Sequence, residues 1–277
     1  MQRATCKYRL WLWIAVMLPC CAAVAQGDIS VLSWNIRHFG ASKDSAEMAF
    51  IAGVIADYDV AALQEISTGP AGAQAVARLA DELNRMGQKW DYALSDPTRS
   101  SPYKSERYAV LWKTARARRC GRPALLYALD SLVQREPFQV CLQCGEKRLL
   151  LLNYHASAPD DYPEREIRHI VQSMLQLDDA PVLLAGDFNV PDSHPVFIPL
   201  AKKGYKSALQ STPTTLRQAA PKPGQSTYLH PYDNVFFPTN NFTMLESGRI
   251  DMVALLGSQE AALRISDHAP VWAILRL

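Results

Sequence analysis

The chain is poor in the features that would place it in several large classes. Its 277 residues hold no internal repeat, no sustained heptad and no low-complexity tract, which sets aside solenoids, coiled coils and disordered scaffolds. No Gly/Ser- or Pro-rich linker divides it, so one large domain is a simpler expectation than two ordinary ones. Cysteine is scarce. Three of the six cysteines precede residue 26, leaving Cys120, Cys141 and Cys144, too few for a disulfide scaffold. Cys141 and Cys144 form a CxxC, but no second pair exists to complete a zinc site, and no helix start follows to support a redox role. A structural part is expected, with one bridge and one free thiol.

Long apolar runs are missing except at the start. Arg3, Lys7 and Arg9 precede Leu10–Leu18, and Ala23-Val24-Ala25 has the small-x-small form of a cleavage site. This pattern predicts a signal peptide over residues 1–25, too short for a comfortable membrane span, and a mature chain over 26–277 that is secreted or periplasmic, with no integral span of its own. A lipoprotein signal around LPCC (18–21) is the alternative, and Cys20 directly before Cys21 fits it poorly. A strong charge of one sign is also lacking. The first 25 residues take three of the 29 basic residues and none of the 27 acidic ones, so the remainder has one more acid than base. Bulk charge therefore predicts no nucleic-acid partner; local clusters must supply any attraction. Lys113–Arg119 (KTARARR) is one candidate, although a solvated edge strand explains it better.

What is present is a folded-protein composition, 48% hydrophobic and 20% charged. Apolar strand candidates lie at Ile29–Trp34, Val60–Leu63, Tyr108–Trp112, Leu149–Asn153, Val182–Ala185, Val235–Phe237 and Val271–Leu275. Helical patterns cover Gly72–Met86 and Pro163–Leu177, the latter with Asp161 placed to cap its start. Strands and helices alternate and then strands dominate, which predicts a mixed α/β layered fold.

Five of the strands carry polar residues at one end. Asn35 follows the first, Gln64-Glu65 the second, Tyr154-His155 the fourth, and Asp187 and Asn189 the fifth; Ser266-Asp267-His268 stand just before the last. In PVLLAGDFNVPD (181–192) an extended chain points Asp187 and Asn189 one way and Phe188 the other. A turn explains that stretch alone. Alignment of the strands would instead gather all these groups on one rim, where α/β folds build sites. Oxygen donors with few thiols suit magnesium, manganese or calcium, and two histidines without a third argue against a three-histidine zinc site. Such a set can polarise a phosphodiester, activate water and protonate a leaving alkoxide.

The stretches WNIRHFG (34–40), LQE (63–65), SDPTRSSPYKSERY (95–108), REP (135–137), NYHASAP (153–159), GDFN (186–189), YDNV (232–235) and ISDHAPV (265–271) occur in this order. Together they resemble the endonuclease/exonuclease/phosphatase superfamily from about Ile29 to the C-terminus, and within it the deoxyribonuclease I-like branch. The resemblance implies a four-layered α/β/β/α sandwich, two mixed sheets packed face to face with helices outside. It implies Glu65 as principal metal ligand, with Asn35 and Asp267 beside it and Mg2+ as the cation, Mn2+ or Ca2+ being alternatives. Asp187 and Asn189 match the pair that orients the attacking water and the phosphate. His155 and His268 match the acid/base and phosphate-stabilising imidazoles, with Glu106 and Asp233 as their carboxylate partners; Asp251 in GRIDMV (248–253) is the rival to Asp233. Arg37, Tyr103 and Arg135 match positions that touch DNA, and Thr227 a phosphate contact. Ser105 is an extra residue beside Tyr103, and Ser67 stands where the branch has a groove-reading arginine. The expected activity is a secreted, monomeric, divalent-metal-dependent endonuclease acting on double-stranded DNA and leaving 5′-phosphate ends. Alternatives are a sphingomyelinase-like or inositol-phosphate phosphatase-like enzyme, a genotoxin catalytic subunit, or a binding protein on a retired enzyme scaffold.

Overall fold

Apolar residues at alternate strand positions belong to opposite faces of a sheet, and that alternation sorts this chain into layers. The computed structural model describes residues 27–101, 104–177 and 180–277; the expected signal peptide lies outside the described residues. One sheet contains β1 (Asp28–Phe39), β2 (Val60–Ile66), β3 (Trp90–Leu94), β4 (Arg107–Lys113), β12 (Thr243–Arg249) and β13 (Val271–Arg276), in the order β12-β13-β1-β2-β4-β3. The other contains β5 (Arg118–Arg119), β6 (Ala124–Leu125), β7 (Phe138–Cys144), β8 (Lys147–His155), β9 (Val182–Asp187), β10 (Tyr205–Ser207) and β11 (Asp233–Pro238), in the order β10-β11-β9-β8-β7-β5, with β6 also on β7. Both are mixed: β1–β2 and β8–β9 are parallel, while β13 and β4 flank the first pair antiparallel and β7 and β11 flank the second.

Helices α1 (Ser45–Ala56) and α2 (Pro70–Arg85) cover the outer face of the first sheet through Met48, Ile51, Ile55, Val76, Leu79 and Leu83. Short helices α5 (Met252–Leu256) and α6 (Gln259–Ile265) complete that layer. On the second sheet, α3 (Pro163–Met174) packs Ile167, Ile170, Val171 and Met174 into an outer core that includes Leu152, Tyr154, Leu184 and Phe188; Leu200 of α4 (Ile198–Lys202) joins it. The architecture is the expected α/β/β/α sandwich. Because both faces of each sheet are covered, the central strands read as continuous apolar runs in the sequence.

Asp161 does not cap α3. Tyr162 stands at the cap position in the left-handed region (φ 59°) and gives no side-chain hydrogen bond, while Asp161 takes Lys104 Nζ at 2.6 Å. Pro163 opens the helix instead, its fixed φ suiting the first turn. The helix also ends at Met174, before the expected Leu177.

The layer between the sheets positions the site. Inward-facing positions run Ile29, Val31, Ser33, Asn35 along β1 and Val60, Ala62, Gln64 along β2. Facing them are Leu149, Leu151, Asn153, His155 on β8 and Leu183, Ala185, Asp187 on β9. Each row is apolar at one end and polar at the other, and the polar ends coincide. Gln64 and Asn153 meet there across the layer, Gln64 Nε2 donating to Asn153 Oδ1 at 2.6 Å, and Asn153 Nδ2 donating to the carbonyls of Leu63 (2.9 Å) and Ala109 (3.1 Å). These bonds satisfy the Asn153 amide and the Gln64 nitrogen, which limits the desolvation penalty at the polar end, while Gln64 Oε1 is left buried without a partner.

Cys120 and Cys141 form a disulfide that closes 21 residues and ties β5 to β7, a loop length for which about 3 kcal/mol is typical. Cys144, on the same strand, is free and buried, and burial pushes its thiol up to about 12, so it stays protonated and unreactive. The CxxC thus lies within a strand. Arg118 and Arg119 are exposed on the edge strand β5, and Arg116 lies 3.2 Å from Asp59, so the basic run is spent on a sheet edge and an ion pair.

Candidate active site

Four parallel strands end, and three antiparallel ones begin, at the polar end of the sandwich. Asn35, Glu65, His155 and Asp187 come from the C-terminal ends of β1, β2, β8 and β9. Glu106, Asp233 and His268 come from the starts of β4, β11 and β13 or the residues just before them. Side chains far apart in sequence meet at one centre, and the centre is Asp187, 1% exposed.

His155 Nε2 and His268 Nε2 each lie 3.5 Å from Asp187 Oδ2. On their far sides, His155 Nδ1 lies 2.9 Å from Glu106 Oε2 and His268 Nδ1 lies 2.8 Å from Asp233 Oδ2. Each imidazole is thus held between two carboxylates. Asp251 instead accepts from the backbone of Val253 and Ala254 at the start of α5 and from the Tyr228 hydroxyl, so Asp233 is the carboxylate beside His268. Asn35 Nδ2 donates to Asp187 Oδ2 (3.1 Å) and Glu65 Oε1 (3.3 Å), linking the centre to Glu65. Asn189 sits beyond β9 at φ 52°, its N–H on Asp187 Oδ1 (3.0 Å) and its Nδ2 on the Ala156 carbonyl (3.2 Å). Phe188 turns away into the outer core, edge-on to Phe197 and Phe236.

Two local devices set these positions. Glu65 lies in a β-bulge at φ 59°, a strained conformation for a non-glycine residue that re-aims its side chain toward Asn35. Gly186, one residue before Asp187, has φ 152°, and a Cβ there would fall 1.7 Å from the Tyr154 carbonyl oxygen. Only glycine lets β9 pass β8 closely enough for Asp187 to pair with His155 across the parallel ladder.

The remaining sequence-predicted residues are less central. Arg37 is 43% exposed and lies 3.9 Å from Asp267, which also accepts from Gln218 Nε2 at 3.3 Å. Arg135 is not a free arm. It is 13% exposed, with Nε 3.2 Å from Glu106 and hydrogen bonds to the carbonyls of Lys104 and Ala156. The backbone carbonyl of Thr227 accepts from Arg217 N–H. Tyr103 lies outside the described residues.

Thr214 and Lys43 are not singled out in the sequence, and Ser266 is named there without a role. Thr214 donates its hydroxyl to Asp233 Oδ2 at 2.6 Å, and Ser266 Oγ donates to the Asn35 carbonyl (2.6 Å) while accepting the N–H of Arg37 and His268. Buried Lys43 donates to the last carbonyls of α6, just ahead of Ser266. A serine, a threonine or a lysine in a loop carries no periodic signal that would mark it.

Two places can receive a cation. Asp187, Asp233 and His268 bring one donor atom each within 4.8 Å of one another. There, however, the imidazole already bridges the carboxylates. Beside them, Glu65 and Asn35 are an all-oxygen pair, and the Asn35 side-chain oxygen is buried without a hydrogen-bond partner. Asp233 Oδ1 is likewise buried without a partner, so the preference rests on the donors: Glu65 and Asn35 offer oxygens with no imidazole between them once the Asn35 amide, whose Nδ2 faces Glu65, turns its oxygen to the ion.

A family model described as the endonuclease/exonuclease/phosphatase family matches residues 32–268. The chain belongs to that family. No curated protein matches it. An endonuclease/exonuclease/phosphatase from Bacteroides vulgatus superposes with a TM-score of 0.65 at 15% identity, covering 90% of this chain and 99% of its own. D. rerio TDP2 complexed with single strand DNA product gives 0.59 at 15% identity (90% and 99% covered), and a mannosyl-6-phosphatase from Bacteroides thetaiotaomicron 0.60 at 16% (90% and 100%). At such identities the likeness is one of fold.

In this endonuclease/exonuclease/phosphatase-family chain the electrostatics follow from the geometry. Burial opposes protonation of His155, but Glu106, aided by Asp187, holds the imidazole above its ordinary value. Burial likewise opposes His268, and Asp233 and Asp187 hold it well above. Burial would raise the Asp187 carboxyl, yet His268 and then His155 bring it below the usual range; Glu106 is lowered against burial by His155 and Arg135. The raised imidazoles add stability that is fully present below about pH 6.5 and lost as pH rises through their folded values. The depressed carboxylates add stability present above about pH 4 and lost as pH falls through theirs. Chelated protein is therefore expected to melt highest between about pH 4.5 and 6.5. Scanning calorimetry checks this: a His155→Gln, His268→Gln double variant should lack the alkaline decline of the wild type.

No helix among the described residues is long and apolar enough to cross a membrane.

Proposed function

We propose that the chain is an exported endonuclease that hydrolyses DNA phosphodiester bonds with a divalent cation, Mg2+ or Mn2+, held by Glu65 and Asn35. The observation that carries this reading is the pair of buried imidazoles, each backed by its own carboxylate, on either side of Asp187. Asp187, with Asn189, orients the attacking water, and the proton of that water passes to the neutral form of one imidazole. The P–O bond to water forms as the bond to the 3′ oxygen breaks, and a protonated imidazole returns a proton to that oxygen. Bound at Glu65, the cation would neutralise charge building on the phosphate. Glu106 and Asp233 push the His155 and His268 imidazoles toward their protonated forms, which suits both charge stabilisation and proton delivery.

The motif set that resembles the deoxyribonuclease I-like branch, and the DNA product held by TDP2 on the same fold, favour a nucleic acid. A second reading is a smaller phosphate ester, as the mannosyl-6-phosphatase on this fold illustrates. It is favoured by Arg135, whose guanidinium is committed to Glu106 and to backbone carbonyls. One panel separates the two. Purified protein is incubated with supercoiled plasmid, linear DNA, RNA, sphingomyelin and sugar phosphates, with Mg2+, Mn2+ or chelator. Plasmid nicking that disappears with chelator is the expected result; release of inorganic phosphate or choline phosphate without nicking would overturn the DNA assignment.

A further inference from the structure

His38 has no packing reason to be where it is. Its side chain is 75% exposed, and its backbone is held at φ 51°, a region that costs a non-glycine residue about 1 kcal/mol or more. Three of the five non-glycine residues with positive φ, His38, Glu65 and Asn189, fall at this one end of the sandwich, so the conformation follows the site rather than the chain at large.

The cause is the pairing of β1 with β2. Between Asn35↔Gln64 and Phe39↔Ile66 the register shifts, leaving Ile36, Arg37 and His38 opposite the single residue Glu65. Bulges re-aim side chains, and this one turns His38 back onto Glu65. Its backbone N–H donates to Glu65 Oε2 at 3.0 Å, and its ring Nδ1 lies 3.8 Å from the same oxygen. Two donors on one first-row cation, each about 2.1 Å from it, are roughly 3 Å apart at a right angle, so a small side-chain rotation brings Nδ1 into range. On the other side of Glu65 stands Asn35, whose Nδ2 donates to Glu65 Oε1 at 3.3 Å and whose unpartnered buried oxygen would reach the cation by a flip of the amide.

We propose that His38 Nδ1 is a nitrogen ligand to the divalent cation at Glu65 and Asn35, making this an N,O,O site that favours manganese over magnesium. This rests on the placement of the cation under Proposed function. Magnesium is a hard ion that keeps oxygen and water around it, whereas imidazole suits the first-row transition metals. The ligand is offered from the exposed side of the carboxylate, His38 being 75% exposed and Glu65 24%.

The test uses the full mature protein, stripped with chelator and titrated with Mn2+ or Mg2+ by calorimetry, and Mn2+-loaded samples examined by pulsed EPR. Three proteins are compared: wild type, His38→Gly and Glu65→Gln. Glycine accepts the left-handed backbone, so His38→Gly is expected to fold, as circular dichroism will show. Wild type is expected to bind Mn2+ about tenfold or more tightly than Mg2+ and to show nitrogen coupling from a bound imidazole. His38→Gly should lose about tenfold in Mn2+ affinity, keep its Mg2+ affinity and lose that coupling. Unchanged Mn2+ binding or persistent coupling in His38→Gly overturns the assignment of His38 while leaving the Glu65 site standing. Unchanged Mn2+ binding in Glu65→Gln removes the site itself.

Discussion

His155→Ala or His268→Ala is expected to lower the rate of plasmid nicking by about 10²–10⁴-fold, the range that a positioned acid/base group contributes. The two variants should differ in stability. Without His155, Glu106 keeps Arg135 Nε at 3.2 Å and the Glu65 N–H at 3.3 Å. Without His268, Asp233 keeps only neutral donors nearby, with Thr214 at 2.6 Å the nearest. A buried carboxylate left without its cation typically costs 3–5 kcal/mol, so His268→Ala should melt lower than His155→Ala. Combining His268→Ala with Asp233→Asn should recover stability without recovering activity. Near-wild-type nicking by both single variants would sink the assignment of the imidazoles.

Gly186→Ala is expected to be the most damaging single methyl in the chain. The new Cβ would meet the backbone oxygen and carbon of Tyr154 at 1.7 and 2.7 Å, and backbone cannot swing aside as a flexible side chain can. The φ of 152° is a second obstacle. Relief requires β8 and β9 to separate, which breaks the ladder from Leu150↔Val182 to His155↔Asp187 in the middle of the second sheet. A loss above about 4 kcal/mol follows, enough to leave little folded protein at 37 °C. Urea unfolding measures it. A variant with a wild-type midpoint would show that β9 can shift without cost.

How much of this was legible beforehand depends on what each residue answers to. The seven apolar runs located seven of the thirteen strands among the described residues, β1, β2, β4, β8, β9, β11 and β13, because both faces of each sheet are covered, and the order of motifs pointed to the sandwich. The strands run further than their apolar parts. Asn35, His155 and Asp187 are inward positions within their strands rather than residues beyond them, since alternation continues after hydrophobicity stops, while Glu65 reaches the site only because a bulge breaks the alternation of β2. Strand β12, mostly exposed, has no apolar face to betray it, and β3 has only Trp90 and Ala93 buried. Asp161 was a reasonable cap by type, but the left-handed Tyr162 turns the chain so that Lys104 claims it. Thr214 and Ser266 act through hydrogen bonds set by tertiary contact, which no local pattern encodes. Arg135 reads as a DNA contact by motif, whereas its burial beside Glu106 depends on how two distant loops meet.

The amide pair Gln64–Asn153 behaves as a dowel between two plates. One plate carries Asn35, Glu65 and His268, the other His155, Asp187 and Asp233, so neither half holds a working centre by itself. Sliding either plate by a single residue would flip its inward row to the outside and dissolve the constellation at once. Rim loops, by contrast, can be lengthened, exchanged or recharged without disturbing that alignment, which lets one hydrolytic engine be refitted for different phosphate-bearing cargo.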